Sequence, residues 1–301
     1  MNSNKLTFYT LYLYFLKEYN KKDDPNKNKD FFSLLFHFSK HVKNTASFYI
    51  FKNKDIDFEE KIEEFGNCLY LIFKTHYPIS YLIKHHYFYG LKYFIKQGAL
   101  IPRSETELLV DKIVLENDKP NLKVLDLCAG IGNIGLTIAN NLNAKVTLVE
   151  KYLRPYSLLR INAKRLHLLN QVKLKKLDIK EFLITNKKKF DLLIMNPPYI
   201  AYNDKKIENN VKMHEPKSAL YAKNHGLYYY QLVLNYLPYL MNKKITCYFE
   251  INQDHKKYLT KIINNLWYKT FLNIEYEFNK DYHGYDRYLK LIIKEKKNDR
   301  N

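Results

Sequence analysis

The chain has 301 residues, 46% of them hydrophobic and 27% charged, a balance that excludes disorder and leaves room for two domains. Cys68, Cys128 and Cys247 are too few for a disulfide framework or a zinc site, and no apolar run reaches the ~18–20 residues that span a bilayer, so a cytoplasmic protein is expected. The net charge of +19 would suit a nucleic-acid partner, but the excess is lysine spread along a chain rich in Asn, Ile and Tyr, and it defines no function by itself.

In chain order, LTFYTLYLYFL (6–16) reads as a buried or half-buried helix, and the KEYNKKDD that follows it is not a cleavage pattern. KKDDPNKNKD (21–30) is a polar, proline-containing loop. Phe58, Ile62, Phe65, Leu69, Ile72 and Phe73 step by three and four, which predicts a helix over 58–73 whose start Asp57 and Glu60 would cap. Residues 1–77 are therefore expected to be an all-helical domain.

The pattern changes at Pro78. YFYGLKYFI (87–95), broken at Gly90, predicts two short paired strands, and residues 78–103 a connecting hairpin. A helix opens at Ser104, with Glu107 completing a capping box. Strands follow at 123–128, 145–150, 172–177, 190–195, 245–251, 271–278 and 286–294, with helices at 133–142, 154–167, 227–240 and 254–266 among them. Alternating strand and helix predicts an α/β domain over 104–301, with a mostly parallel seven-stranded sheet ending in an antiparallel pair at one edge.

Two stretches carry chemistry. In VLDLCAGIGNIG (124–135) an apolar strand runs into Asp126, Cys128, Ala129, Gly130, Ile131 and Gly132 just before a helix, where glycines allow close backbone approach and free N–H groups face a ligand. Glu150 closes the next strand, where a carboxylate can accept from both ribose hydroxyls. The loop fits neither the dinucleotide fingerprint nor a P-loop. In MNPPYI (195–200) the prolines end a buried strand abruptly and leave Asn196 at its carboxyl end, where ligands of open α/β sheets bind.

The glycine loop looks like the first motif of class I S-adenosylmethionine-dependent methyltransferases. That arrangement implies a Rossmann-like sheet, places Asp178 and Ile179 beside the adenine, and sets Asn196 next to the sulfonium. An amide nitrogen is a poor nucleophile because its lone pair is delocalised. The Asn196 side-chain oxygen and the Pro197 carbonyl could fix its N–H₂ group, Pro198 would stiffen the turn, and Tyr199 could stack on the planar acceptor. No base is needed before transfer, because the product sheds its proton afterwards.

PISYL (78–82), LIPRSETELLV (100–110), VLDLCAGIG (124–132), MNPPYI (195–200), HEPKSAL (214–220) and DYHGYDR (281–287) together resemble the release-factor glutamine N5-methyltransferases (HemK/PrmC) over about residues 78–294. The resemblance implies S-adenosylmethionine as cofactor, the glutamine amide in the Gly-Gly-Gln loop of class I peptide-chain release factors as acceptor, and a helical domain that helps to hold the release factor; a monomer is expected. It gives Asp126, Cys128–Gly132, Glu150, Asp178, Ile179 and Asn196 to the cofactor, and Asn196, Pro197, Pro198 and Tyr199 to the acceptor. Cys128, Lys84 and Asn252 stand where that family commonly has glycine, and Ser104 where it has proline. Glu215 orders a loop over the acceptor or forms a surface turn, and Arg287 steadies the sheet edge.

Two other functions fit parts of the chain. A methyltransferase of the adenine exocyclic amine uses the same cradle logic, but no separate target-recognition domain is evident. A non-catalytic methyltransferase-like module would explain Cys128 and Asn252, but not the retention of Glu150 together with Asn196, Pro197, Pro198 and Tyr199.

Overall fold

The computed structural model describes residues 6–296. The chain divides after Lys84 into two compact units.

The first unit is helical: α1 (Phe8–Tyr19), α2 (Pro25–Phe38), α3 (Thr45–Phe51), α4 (Ile62–Thr75) after a 3₁₀ turn at Glu59–Lys61, and α5 (Ile79–Ile83). Its core is dense in aromatic rings, with Phe15 and Phe31 stacked at 4.3 Å and Phe65 against Phe31 and Phe58. Ile79, Leu82 and Ile83 pack on that core, so the unit extends past Pro78. Two local expectations are corrected. The polar stretch 21–30 is not all loop, because Asp24 caps α2 and Pro25 sits at its first turn, where a missing N–H costs nothing. Asp57 does not cap the 58–73 helix. Its Oδ2 instead accepts from the Ser39 hydroxyl, the Lys40 and His41 N–H groups and the His41 ring, at 2.7–3.0 Å. Burial opposes the charge of Asp57, but these donors outweigh it and hold the carboxyl below its usual range.

The second unit opens with the hairpin β1 (His85–Phe88) and β2 (Leu91–Phe94), joined by Tyr89 and Gly90 with φ of 49° and 74°, the paired left-handed turn that matches strand twist. α6 (Ser104–Glu116) begins at Ser104, but without the expected capping box. Ser104 is the first helical residue rather than the cap, and Glu107 accepts the N–H of Tyr89 at 2.9 Å, tying the hairpin turn down.

The chain then runs through β3 (Leu122–Leu127), α7 (Asn133–Asn141), β4 (Ala144–Glu150), α8 (Leu153–Arg165), β5 (Val172–Lys176), α9 (Ile179–Thr185) and β6 (Leu192–Met195). It continues through β7 (Ile200–Ala201), α10 (Asn209–His214), α11 (Lys217–Leu220), β8 (Tyr221–Ala222), α12 (Tyr228–Leu240), β9 (Lys244–Glu250), α13 (Lys256–Asn264), β10 (Leu272–Lys280) and β11 (Asp286–Glu295). The seven-stranded sheet has the order β10-β11-β9-β6-β3-β4-β5. Only β11 runs against its neighbours. β6, with Leu192, Leu193, Ile194 and Met195, is apolar and buried at every position, as a strand covered on both faces should be. From β3 the chain winds outward to β5 and then returns to the other side of β3 at β6, so the order reverses between β3 and β6 and a crevice opens beyond their carboxyl ends. Among the described residues no helix is long and apolar enough to cross a membrane.

Candidate active site

Beyond Leu127 the loop turns sharply, with Cys128, Gly130 and Gly132 all left-handed at φ of 58°, 58° and 87°. Ala129 donates to the carbonyl of Val149 at 3.1 Å and Gly130 to Glu150 Oε2 at 2.9 Å, which stitches the loop to the end of β4. Glycine is required at Gly132: α7 starts there, and a Cβ would lie 2.4 Å from the Leu159 side chain. Cys128 tolerates its conformation at a cost of about 1–2 kcal/mol, and burial pushes its thiol up.

Asp126 is 1% exposed and does not line the crevice. Its Oδ2 accepts the N–H of Gly135 in the first turn of α7 at 2.9 Å, while Oδ1 is buried without a partner. Burial raises this carboxyl to about 8, so a proton or a nearby positive charge would relieve it. Glu150 is raised too, chiefly by burial, although its oxygens accept from Gly130 and Tyr152. Asp178 behaves oppositely. Burial would raise it, but Lys151 at 3.0 Å and the N–H of Lys180 at the start of α9 hold it below its usual range.

These residues line a cleft with about 850 Å³ of empty space, its open mouth included. Cys128, Ala129, Gly130, Ile131, Glu150, Asp178, Ile179, Asn196 and Pro198 all face it. Gly132, like Asp126, stands behind the wall. Sequence reasoning did not assign Gly98–Leu100, Tyr152 and Tyr229 to this lining. Tyr229 lies in a run of tyrosines on α12, where no pattern singles it out.

A second cleft adjoins the first, walled by Leu100, Arg103, Pro197, Tyr199, Ile200 and Glu250 among others. Leu100, Asn133, Asn196 and Ala219 line both. Asn196 Nδ2 donates to Glu250 Oε2 at 2.9 Å, which leaves its Oδ1 at the other end of the amide. The carbonyl of Pro197 accepts no backbone hydrogen bond among the described residues. The hydroxyl of Tyr199 donates to Glu250 Oε1 at 3.3 Å. A Cβ at Gly226 would lie 2.0 Å from the carbonyl oxygen of Tyr199, so only glycine lets the loop before α12 close against this turn.

Glu215 is not a surface turn. It is 6% exposed, accepts the N–H of Ile101 at 3.1 Å and pairs with Arg103 at 2.5 Å. It therefore joins the loop before α6 to the loop before α11 on the second cleft. Arg287 holds Asp281 through two donors at 2.8 and 3.1 Å at the start of β11, as expected for a residue steadying the sheet edge.

Residues 104–226 match the family model described as "Methyltransferase small domain". A release factor glutamine methyltransferase of Mycoplasma mycoides subsp. mycoides SC is 34% identical over 86% of this chain and 91% of its own. The enzyme of that name from Clostridium botulinum is 34% identical over 80% and 85%, and that from Bacillus subtilis 30% over 73% and 77%.

Proposed function

The chain belongs to the release factor glutamine methyltransferases, and from that premise we propose that it moves a methyl group from S-adenosylmethionine to the N5 side-chain amide of the glutamine in the Gly-Gly-Gln loop of class I peptide-chain release factors. One observation carries the assignment of roles: Asn196 lines both clefts, so the first suits the cofactor and the second the acceptor.

The residues of the first cleft fit this cofactor. Its sulfonium and ammonium are cationic, and Glu150, which lines the cleft, is a carboxylate whose charge burial disfavours until a positive group arrives. Glu150 would accept the ribose hydroxyls, with Cys128 to Ile131 along the rest of the ligand and Asp178 and Ile179 toward the adenine. Asp126 and Gly132 support that loop from behind. Bound there, S-adenosylmethionine supplies an electrophilic methyl group.

The chain's own part is to present a weak nucleophile. Asn196 Oδ1 and the Pro197 carbonyl accept from the two hydrogens of the acceptor amide and set its nitrogen toward the first cleft. Pro197 and Pro198 keep those acceptors from reorganising, so their order is established before the substrate arrives. Tyr199 gives the planar amide a flat wall. The nitrogen sheds its extra proton after gaining the methyl group, so no side chain has to act first as base. We assign the helical unit, which ends at Lys84, to holding the release factor, the hairpin of β1 and β2 to the connection, and the rest of the second unit to catalysis, in a cytoplasmic monomer that makes no direct use of nucleic acid.

The test is transfer of labelled methyl from S-adenosylmethionine to a release factor, to the same factor with its loop glutamine replaced, and to DNA. Label is expected on the intact factor alone, and Asn196→Ala should lower it by about 10²–10³-fold while cofactor binding persists. Label on DNA would favour methylation of the adenine amine instead.

A further inference from the structure

Glu250 ends β9, is 2% exposed, and belongs to none of the sequence motifs. Its Oε2 accepts from Asn196 Nδ2 at 2.9 Å and from the Thr106 hydroxyl of α6 at 2.6 Å. Its Oε1 accepts from the Tyr199 hydroxyl, and its backbone carbonyl takes the Tyr230 hydroxyl of α12 at 2.6 Å. One carboxylate thus touches both polar side chains of the Asn-Pro-Pro-Tyr turn. The two ends of a primary amide are nearly equal in size, and a half-turn about the last side-chain bond exchanges them. Reaction needs the oxygen end of Asn196 toward the acceptor, because a second N–H₂ group there would meet the acceptor hydrogens head-on. An ionised carboxylate can only accept, so it admits only the nitrogen end on its own side.

We propose that ionised Glu250 is the positioning residue that selects the reactive face of Asn196 and holds Tyr199 beside it. The inference rests on the functional reading above and adds a residue to it. Glu250 acts through Asn196 and Tyr199, the side chains it holds. Its charge is opposed by burial and by Glu105, and supported by the Thr106 and Tyr199 hydroxyls and by nearby Arg287, with the net effect of raising its pKa above the usual range. Protonation adds a donor, and the preference for one amide face is lost. Turnover should therefore fall as pH drops through that pKa.

The experiment compares wild type, Glu250→Gln and Thr106→Val, with labelled S-adenosylmethionine and release factor both saturating, across pH. Glu250→Gln is expected to lower kcat by at least about tenfold, with cofactor Kd unchanged and with the acidic limb of the profile gone. Thr106→Val keeps the carboxylate but removes a donor that stabilises its charge, so the limb should move to higher pH. A purely structural Glu250 would move stability and not the limb. An unchanged kcat in Glu250→Gln, or a limb unmoved by Thr106→Val, overturns the proposal. Nuclear magnetic resonance of the Asn196 side-chain N–H₂, assigned by its absence in Asn196→Asp, decides the matter without turnover. Its shift should titrate in wild type and not in Glu250→Gln, and equal behaviour refutes the inference. Wild type that labels no release factor while this titration is seen would count against the functional reading alone.

Discussion

The two clefts that meet at Asn196 are built on different logic. The first is made by short stretches at the carboxyl ends of consecutive strands: the Cys128–Gly132 loop after β3, Glu150 at the end of β4 and Asp178 just beyond β5. Each is a local solution in which a turn, a helix start or a strand end puts one group at one rim. The second is held by contacts between distant segments. Glu250 joins Asn196 to Thr106 across separations of 54 and 144 residues, and Glu215 reaches Ile101 across 114. The first cleft should therefore fail residue by residue, and the second as a network.

Glu150 gives the sharpest form of that contrast. Glu150→Gln keeps the shape but removes the charge that would meet the ribose hydroxyls, and charge-assisted hydrogen bonds contribute about 1.5–3 kcal/mol each. S-adenosylmethionine should bind roughly 10–100-fold more weakly by calorimetry, while the KM for the release factor stays near its original value. A rise in both would mean that the two clefts are not separable.

Arg103→Ala should do the reverse. It leaves Glu215 buried with one of its two partners gone, and an unsatisfied buried group costs about 1–3 kcal/mol; because Arg103 is 35% exposed on its side chain, the lower half of that range applies. The loops before α6 and α11 should loosen together, raising the KM for the release factor several-fold and leaving cofactor affinity unchanged. Glu215→Gln keeps one acceptor oxygen for two donors, Ile101 and Arg103, and turns an N–H₂ group toward the other, so it should show the same kind of change. If either variant weakened the cofactor instead, the assignment of the second cleft to the acceptor would be wrong.

This difference also marks what the sequence could disclose. The sheet, the glycine loop, Glu150 and the exit of the chain at Asn196 were legible because their signals are adjacent residues: apolar runs, a turn, a proline pair. The hairpin was legible from the aromatic-rich run 87–95 broken at Gly90. Asp57 and Glu107 were misread for the converse reason. Both sit three residues from a partner that fits a capping box, but each is taken by a distant donor, His41 in one case and Tyr89 in the other. Glu250 was invisible because its three side-chain partners come from two other parts of the chain. Pro25 was read as loop since a proline marks equally well a turn and a helix start, and only Asp24 beside it decides between them.

The smallest effects concern Cys128 and Asn252, two of the three positions where the family resemblance leads one to expect glycine, and they should have opposite signs. Cys128 is left-handed at φ 58°, so its side chain strains the cofactor loop, whereas Asn252 has φ −72° and needs no glycine. Asn252 also accepts the N–H of Asp254 at 2.9 Å and caps the short turn after β9. Cys128→Gly removes about 1–2 kcal/mol of strain but adds chain entropy to the unfolded state, for a net gain of about 0.5–1 kcal/mol. Asn252→Gly loses a cap and adds the same entropy, for a net loss of about 0.5–1 kcal/mol. Denaturant midpoints at constant slope would read both. Equal signs would mean that backbone conformation does not govern these exchanges. Opposite signs would mean that the cofactor loop carries a removable strain, and that the end of β9 accommodates asparagine without any.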